Sequence, residues 1–163
     1  MSLVETDWLE NNKDKVKIID CSWHMPQTKR NGFEEYKTQH IPESIFFDLD
    51  DNSDKNTNLP HMLVNKSEWE KIVSKMGIKN EDMIIIYDNS DVFSACRCWF
   101  TFFYFGHNPK KLSVLNGGLK NWKNSGGETT FSLITPSTSI LLFERSRILL
   151  PPTQPITQRG DCR

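Results

Sequence analysis

Asp88, Cys96, Arg97 and Cys98 are the residues whose types and spacing suit chemistry in this chain. Asp88 ends the apolar run Met83-Ile84-Ile85-Ile86-Tyr87-Asp88 and opens a polar stretch, Asn89 to Ser94, that leads into a helical pattern holding the other three. A short apolar run ending in a polar loop and then a helix is how an α/β domain builds a site at the carboxyl edge of a parallel strand. Chemistry is expected in that loop, yet no nucleophile stands at its start. Cys96 and Cys98 lie near a helix start, where a thiol's pKa can fall and its reactivity rise. Alternate residues of one helix cannot share a pocket, so at least one of the two reads as a small buried apolar residue. Two cysteines without a further Cys or His pair at a recognisable spacing fall short of a zinc site. Arg97 offers a planar fork of donors for an anion, against the plainer reading of a solvated helix-start arginine.

The elements that must position these residues alternate regularly. Thr6 or Asp7 can cap a short helix through Trp8, Leu9 and Glu10, and Val16 to Cys21 reads as a strand. Phe33 to His40 reads as a helix ended by Pro42, and Ser44 to Leu49 as the next strand. Asn65 can cap a helix whose apolar positions Trp69, Ile72, Val73 and Met76 follow helical spacing before Gly77 stops it. A strand over 83–88, a helix from about Phe93 to Tyr104, a strand over 112–115 and a helix over 118–123 complete the series. Such alternation with apolar strands implies a parallel sheet covered on both faces.

Composition narrows the function classes. Twenty Lys plus Arg against 21 Asp plus Glu give a net charge of −1, so bulk charge draws the chain neither to nucleic acid nor to anionic lipid. Four cysteines in 163 residues, Cys21, Cys96, Cys98 and Cys162, are too uneven for a disulfide framework and fit a reduced, cytoplasmic setting. Met1 to Trp8 carries acids and no signal-like apolar run, and no stretch is long enough to span a membrane. All 14 lysines precede residue 130, whereas four of the six arginines and four of the eight prolines follow it, so residues 131–163 read as an irregular or disordered tail. Cys162 lies on that tail without a supporting loop and reads as non-catalytic.

Other candidates are read as structural. His40, before Ile41-Pro42 at a helix exit, suits capping of carbonyls. His24, His61 and His107 have no carboxylate or cysteine at motif spacing. Gly117-Gly118 lacks the third glycine and Lys-Ser/Thr pair of a phosphate loop and reads as a strand-to-helix turn. Trp69, Trp99 and Trp122 fall at core-facing positions. No metal and no cofactor are expected.

Several segments carry a family likeness in order: Ile19-Asp20-Cys21-Ser22-Trp23, Glu35-Tyr36 with His40-Ile41-Pro42-Glu43 to Asp50, Leu59-Pro60-His61-Met62-Leu63, Ile86-Tyr87-Asp88, Ala95-Cys96-Arg97-Cys98-Trp99, Phe105-Gly106-His107, and Leu115-Asn116-Gly117-Gly118-Leu119-Lys120-Asn121-Trp122. Through them residues 4–126 resemble the amino-terminal rhodanese-like domain of the two-domain thiosulfate and 3-mercaptopyruvate sulfurtransferases. The resemblance implies a three-layer α/β/α fold with a central parallel sheet. It also implies a second, similar domain whose cysteine takes sulfane sulfur from an anionic donor as a persulfide and passes it to a thiol or cyanide. That chemistry asks for a thiolate at the head of a loop whose N–H groups stabilise negative charge. Asp88 stands where the cysteine would be, and a carboxylate cannot hold a persulfide.

The same resemblance implies a domain inactive alone and completed by a partner chain or domain that carries the catalytic cysteine. Nothing after residue 130 resembles that half, which implies a truncated product. Arg97 matches the arginine that helps to hold the donor's anionic group near the domain interface. Two departures stand out: Ala95-Cys96-Arg97-Cys98 replaces the family's Ala-Pro-Arg, and Glu43 replaces the glycine of His-Ile-Pro-Gly. Three alternatives stay open: a non-catalytic anion- or protein-binding regulatory module, a single-domain persulfide carrier using Cys96 or Cys98, and a degraded gene product.

Overall fold

A computed structural model describes residues 2–132. Five strands, β1 (Ser2–Val4), β2 (Lys17–Asp20), β3 (Ser44–Phe46), β4 (Ile84–Tyr87) and β5 (Leu112–Leu115), form one sheet in the order β1-β5-β4-β2-β3 with every pair parallel. The helices are α1 (Thr6–Glu10), α2 (Gly32–Thr38), α3 (Lys66–Lys75), α4 (Ser94–Tyr104) and α5 (Gly118–Asn124). The expected three-layer α/β/α arrangement is the one observed.

The period of two along a strand sorts the core into two layers. Ile84 and Ile86 join Ile19, Trp69 of α3, and Cys98 and Phe102 of α4 on one side of the sheet. Ile85 and Tyr87 face the other side with Leu9 of α1 and Leu119 and Trp122 of α5. Because β4 is central and covered on both faces, all four of its residues are buried and its sequence is continuously apolar.

Local signals explain most boundaries. The Asn65 side chain accepts the Glu68 N–H at 3.0 Å and starts α3, and Gly77, with φ +67°, follows the end of that helix. Asn31 does the same for α2 by accepting the Glu34 N–H at 2.9 Å, a cap absent from the sequence-based expectations. At α1 the expected cap is not formed: Glu5 is the capping position and makes no side-chain cap, while Thr6 lies inside the helix and donates its hydroxyl to Ser125 Oγ at 2.9 Å. Strand β1 was not expected; it adds to the sheet through β5, with Ser2 Oγ 2.7 Å from Ser113 Oγ.

Beyond α5 the chain turns back onto the domain. The Trp122 Nε1–H donates to the Glu128 carbonyl at 2.7 Å, and His40 and Thr130 exchange backbone hydrogen bonds at 2.9 Å each. His40 also sits at the exit of α2 as expected of a helix-end imidazole, with Nδ1 2.6 Å from the Tyr36 carbonyl oxygen. Of the expected tail, residues 133–163, Cys162 among them, lie outside the described residues. Among the described residues no helix is long and apolar enough to cross a membrane.

Candidate functional site

Strands β2 and β4 are neighbours, so the segments leaving their carboxyl ends meet. The segment after β2 brings Cys21, Ser22 and Trp23; the segment after β4 brings Asp88 to Phe93 and then α4. Hydroxyls join the two. Ser94 Oγ donates to the Cys21 carbonyl at 2.5 Å, Ser90 Oγ donates to the Trp23 carbonyl at 2.5 Å, and the Asn89 N–H donates to Ser22 Oγ at 2.8 Å. Ser22 in turn donates its hydroxyl and its N–H to Asp20 Oδ1, at 2.6 and 2.8 Å. Asp20 is buried, and burial outweighs these bonds, raising its pKa to about 6.

Asp88 sits at the head of this loop and points back into it. Its Oδ2 accepts the Ala95 N–H, in the first turn of α4, at 2.7 Å and lies 3.4 Å from Ser94 Oγ. Phe93, the residue before α4, has φ +52° and makes no side-chain cap, so the Asp88 carboxylate does the capping from seven residues upstream. Burial raises the Asp88 pKa, while hydrogen bonds from Ala95, Ser90 and Ser94 oppose the shift. The Asp88 carbonyl accepts the Leu119 N–H at 2.9 Å. Gly118, at φ +57°, passes so close to that carbonyl that a Cβ there would stand 2.3 Å from the oxygen. The Gly117-Gly118 turn therefore serves close backbone approach, as a strand-to-helix turn should.

The two thiols of α4 separate as the helical period requires. Cys98 is fully buried against the sheet with Cys21, and Cys96 is partly exposed. Burial, and then the Asp88 charge, push the Cys96 thiol up, and burial with the neighbouring Cys98 pushes Cys21 well up. A nucleophilic thiolate needs the opposite environment. Among the described residues no group of three or more His, Cys, Asp or Glu is placed to hold a metal ion.

Arg97 is half-buried in α4. One Nη2–H donates to the His61 carbonyl, and the guanidinium lies 5.6 Å from the centre of the Phe100 ring. Among the described residues it pairs with no carboxylate. Arg30 is the contrast, and sequence reasoning did not single it out. Its Nε and Nη2 grip Glu35 at 2.7 Å each, and Nη2 also donates to the Asn89 carbonyl at 3.1 Å. His24 Nε2 lies 3.2 Å from the same Glu35 carboxylate and Asn89 Nδ2 donates to it at 3.0 Å. This network clamps the Asp88 loop onto α2 beside an open cleft of about 670 Å³. Its only sequence signal was a pair of charges five residues apart across a helix start.

Trp69 and Trp122 are buried in the two core layers, and Trp99 packs partly buried against the first. His107 is buried with Nε2 3.0 Å from the Asp82 carbonyl oxygen.

A strand-loop-helix site at the carboxyl edge of an all-parallel five-stranded sheet, with the Asp88 carboxylate at the loop head, is the arrangement of a rhodanese-type α/β domain. The chain belongs to the rhodanese-like domain family, whose profile matches residues 5–125. It is 45% identical over 126 residues to the mitochondrial thiosulfate/3-mercaptopyruvate sulfurtransferase 1 of Arabidopsis thaliana, covering 76% of this chain and 33% of that protein. It is 33% identical to the thiosulfate sulfurtransferase of Bos taurus over 170 aligned positions, 99% of this chain and 56% of that protein, a match that runs past residue 130. Among solved structures, the 3-mercaptopyruvate sulfurtransferase SseA from Escherichia coli superposes with a TM-score of 0.76 at 33% identity, over 82% of this chain and 52% of that one. The Tum1 protein from Saccharomyces cerevisiae superposes at 0.71 with 27% identity, over 81% and 44%. The chain thus spans between a third and a little over half of these relatives' length.

Proposed function

We propose that this chain is the non-catalytic rhodanese-like half of a thiosulfate or 3-mercaptopyruvate sulfurtransferase, inactive alone, with sulfur transfer depending on a catalytic cysteine in a second rhodanese-like domain. The observation that carries the reading is Asp88, whose carboxylate fills the loop where a persulfide-bearing thiol would be needed. Arg97, a cation without a carboxylate partner among the described residues, is the group this half offers to the donor's anionic end. The uneven spacing of Cys21, Cys96, Cys98 and Cys162 favours a reducing compartment such as the cytoplasm.

Thiocyanate production by the purified chain with cyanide and either thiosulfate or 3-mercaptopyruvate tests this. No turnover and no mass gain are expected. A gain of about 32 Da, one sulfur atom on Cys96 or Cys98, would favour the single-domain carrier instead. With a catalytic half co-expressed, association and an increase in donor KM on Arg97→Ala are expected.

A protein-binding module is the second reading, favoured by the exposed aromatics Phe93, Phe100, Phe103 and Tyr104 on and beside α4. It predicts stable capture of a protein other than a sulfurtransferase, without turnover. The anion-binding version is weaker, because the loop's helix-start N–H is already taken by Asp88.

A further inference from the structure

His61 gathers three contacts around a left-handed backbone, one of them with Arg97. Its φ is +55°, the left-handed region that a side chain with a Cβ rarely occupies. Such a conformation persists where the surroundings over-determine it. Three contacts do so here. The imidazole Nε2 lies 2.8 Å from Asp50 Oδ1, the ring stands edge-on to Trp23 with centroids 4.8 Å apart, and the carbonyl accepts the Arg97 Nη2–H. Asp50 is itself fixed, since its other oxygen accepts the Trp23 Nε1–H at 2.9 Å. One carboxylate thus ties the segment after β2 to the 50–62 loop, and that loop presents a carbonyl to the α4 guanidinium. The Arg97 guanidinium also lies 5.6 Å from the centre of the Phe100 ring.

We infer that His61 is a positioning residue, which with Asp50 holds the Arg97 guanidinium in one orientation between the 50–62 loop and α4. The anchored loop spares Arg97 the conformational entropy of a free surface arginine before a ligand arrives. Only the functional arm of the test rests on Arg97 contacting the donor.

The test follows rotation of the Arg97 guanidinium by ¹⁵N NMR in the full 163-residue chain. Wild type should show restrained rotation, and His61→Ala, which keeps the carbonyl of residue 61 but frees the loop that presents it from Asp50, should accelerate it on the order of tenfold as that carbonyl leaves the guanidinium. His61→Gln, which can still donate to Asp50, should restore the slow rate. Unchanged rotation in His61→Ala overturns the inference. Should that variant not fold, Asp50→Ala, which leaves the His61 imidazole without its acceptor, decides by the same measurement, faster rotation supporting the inference and an unaltered rate refuting it. In the assembly with a catalytic half, His61→Ala should raise donor KM about tenfold with kcat nearly unchanged. If Arg97→Ala leaves KM alone, the functional reading fails, while the rotation rates still judge the positioning.

Discussion

The carboxylate of Asp88 accepts the backbone N–H of Ala95 at 2.7 Å, closing the loop between them with a hydrogen bond from head to tail. The loop thereby carries its own anion. A helix start that would otherwise favour a bound thiolate or oxyanion is satisfied from within, at the expense of keeping a carboxyl group away from water.

Replacements at Asp88 should separate these two effects. Asp88→Asn keeps an acceptor and removes the buried charge, and near neutral pH it should be at least as stable as wild type. Asp88→Ala also removes the cap and should be less stable than the Asn variant by about 1 kcal/mol. Urea denaturation of the three proteins gives the comparison; equal stability of the Asn and Ala variants would remove the capping role.

Asp20 should make the domain less stable as pH rises from acid towards neutral. Its folded pKa of about 6 lies above the ordinary value of 3.8, so between them the folded chain holds a proton that the unfolded chain has lost. Stability from this group is full below the unfolded value and falls as pH climbs through about 6, by roughly 3 kcal/mol. Asp88 acts in the same direction. Asp20→Asn should flatten the slope between pH 4 and 6 in equilibrium unfolding (a span of about two units); a slope unchanged by the substitution contradicts the assignment.

Cys96 should react slowly with iodoacetamide at neutral pH, slower than a free cysteine peptide, because burial and Asp88 hold it as the thiol. Cys21 and Cys98 should be modified only on unfolding. Asp88→Asn should quicken Cys96 modestly by removing the charge. Mass spectrometry of timed samples reads all three sites, and rapid alkylation of Cys96 in the native chain would revive the carrier reading.

Gly118→Ala should be strongly destabilising, by about 2–4 kcal/mol, since it meets both a left-handed backbone and the Asp88 carbonyl. Gly77→Ala shares the positive φ but faces open space, so it should cost only about 1 kcal/mol. Thermal unfolding of the pair tells the collision from the backbone effect. Similar losses in the two variants would show that the close approach contributes little.

Much of the fold was legible because buried strands announce themselves. Ile84 to Tyr87 is apolar at every position since both faces of β4 are covered, and Asn65 advertises its helix through a local, three-residue reach. The three residues of β1 carry no such pattern; they become a strand only because β5 offers an edge. At the site, Asp88 and the split between Cys96 and Cys98 follow from position and helical period. The pairings of His24 with Glu35 and of His61 with Asp50 do not, as each spans 11 residues across loops whose paths are set by tertiary packing. Glu43 is a further case: at φ +63° it sits in a left-handed turn that a glycine would adopt more easily.

The bridge between His40 and Thr130 sets a geometric demand on anything attached downstream. Thr130 is tied beside α2 and α5, where Lys123 Nζ also donates to Gln39 Oε1 at 2.9 Å, whereas Arg97 stands on α4 across the sheet. Two packed layers are on the order of 20 Å deep. A tether fused after this point must therefore supply at least about six extended residues before its cargo can reach the guanidinium side, and a shorter one would confine that cargo to the opposite hemisphere.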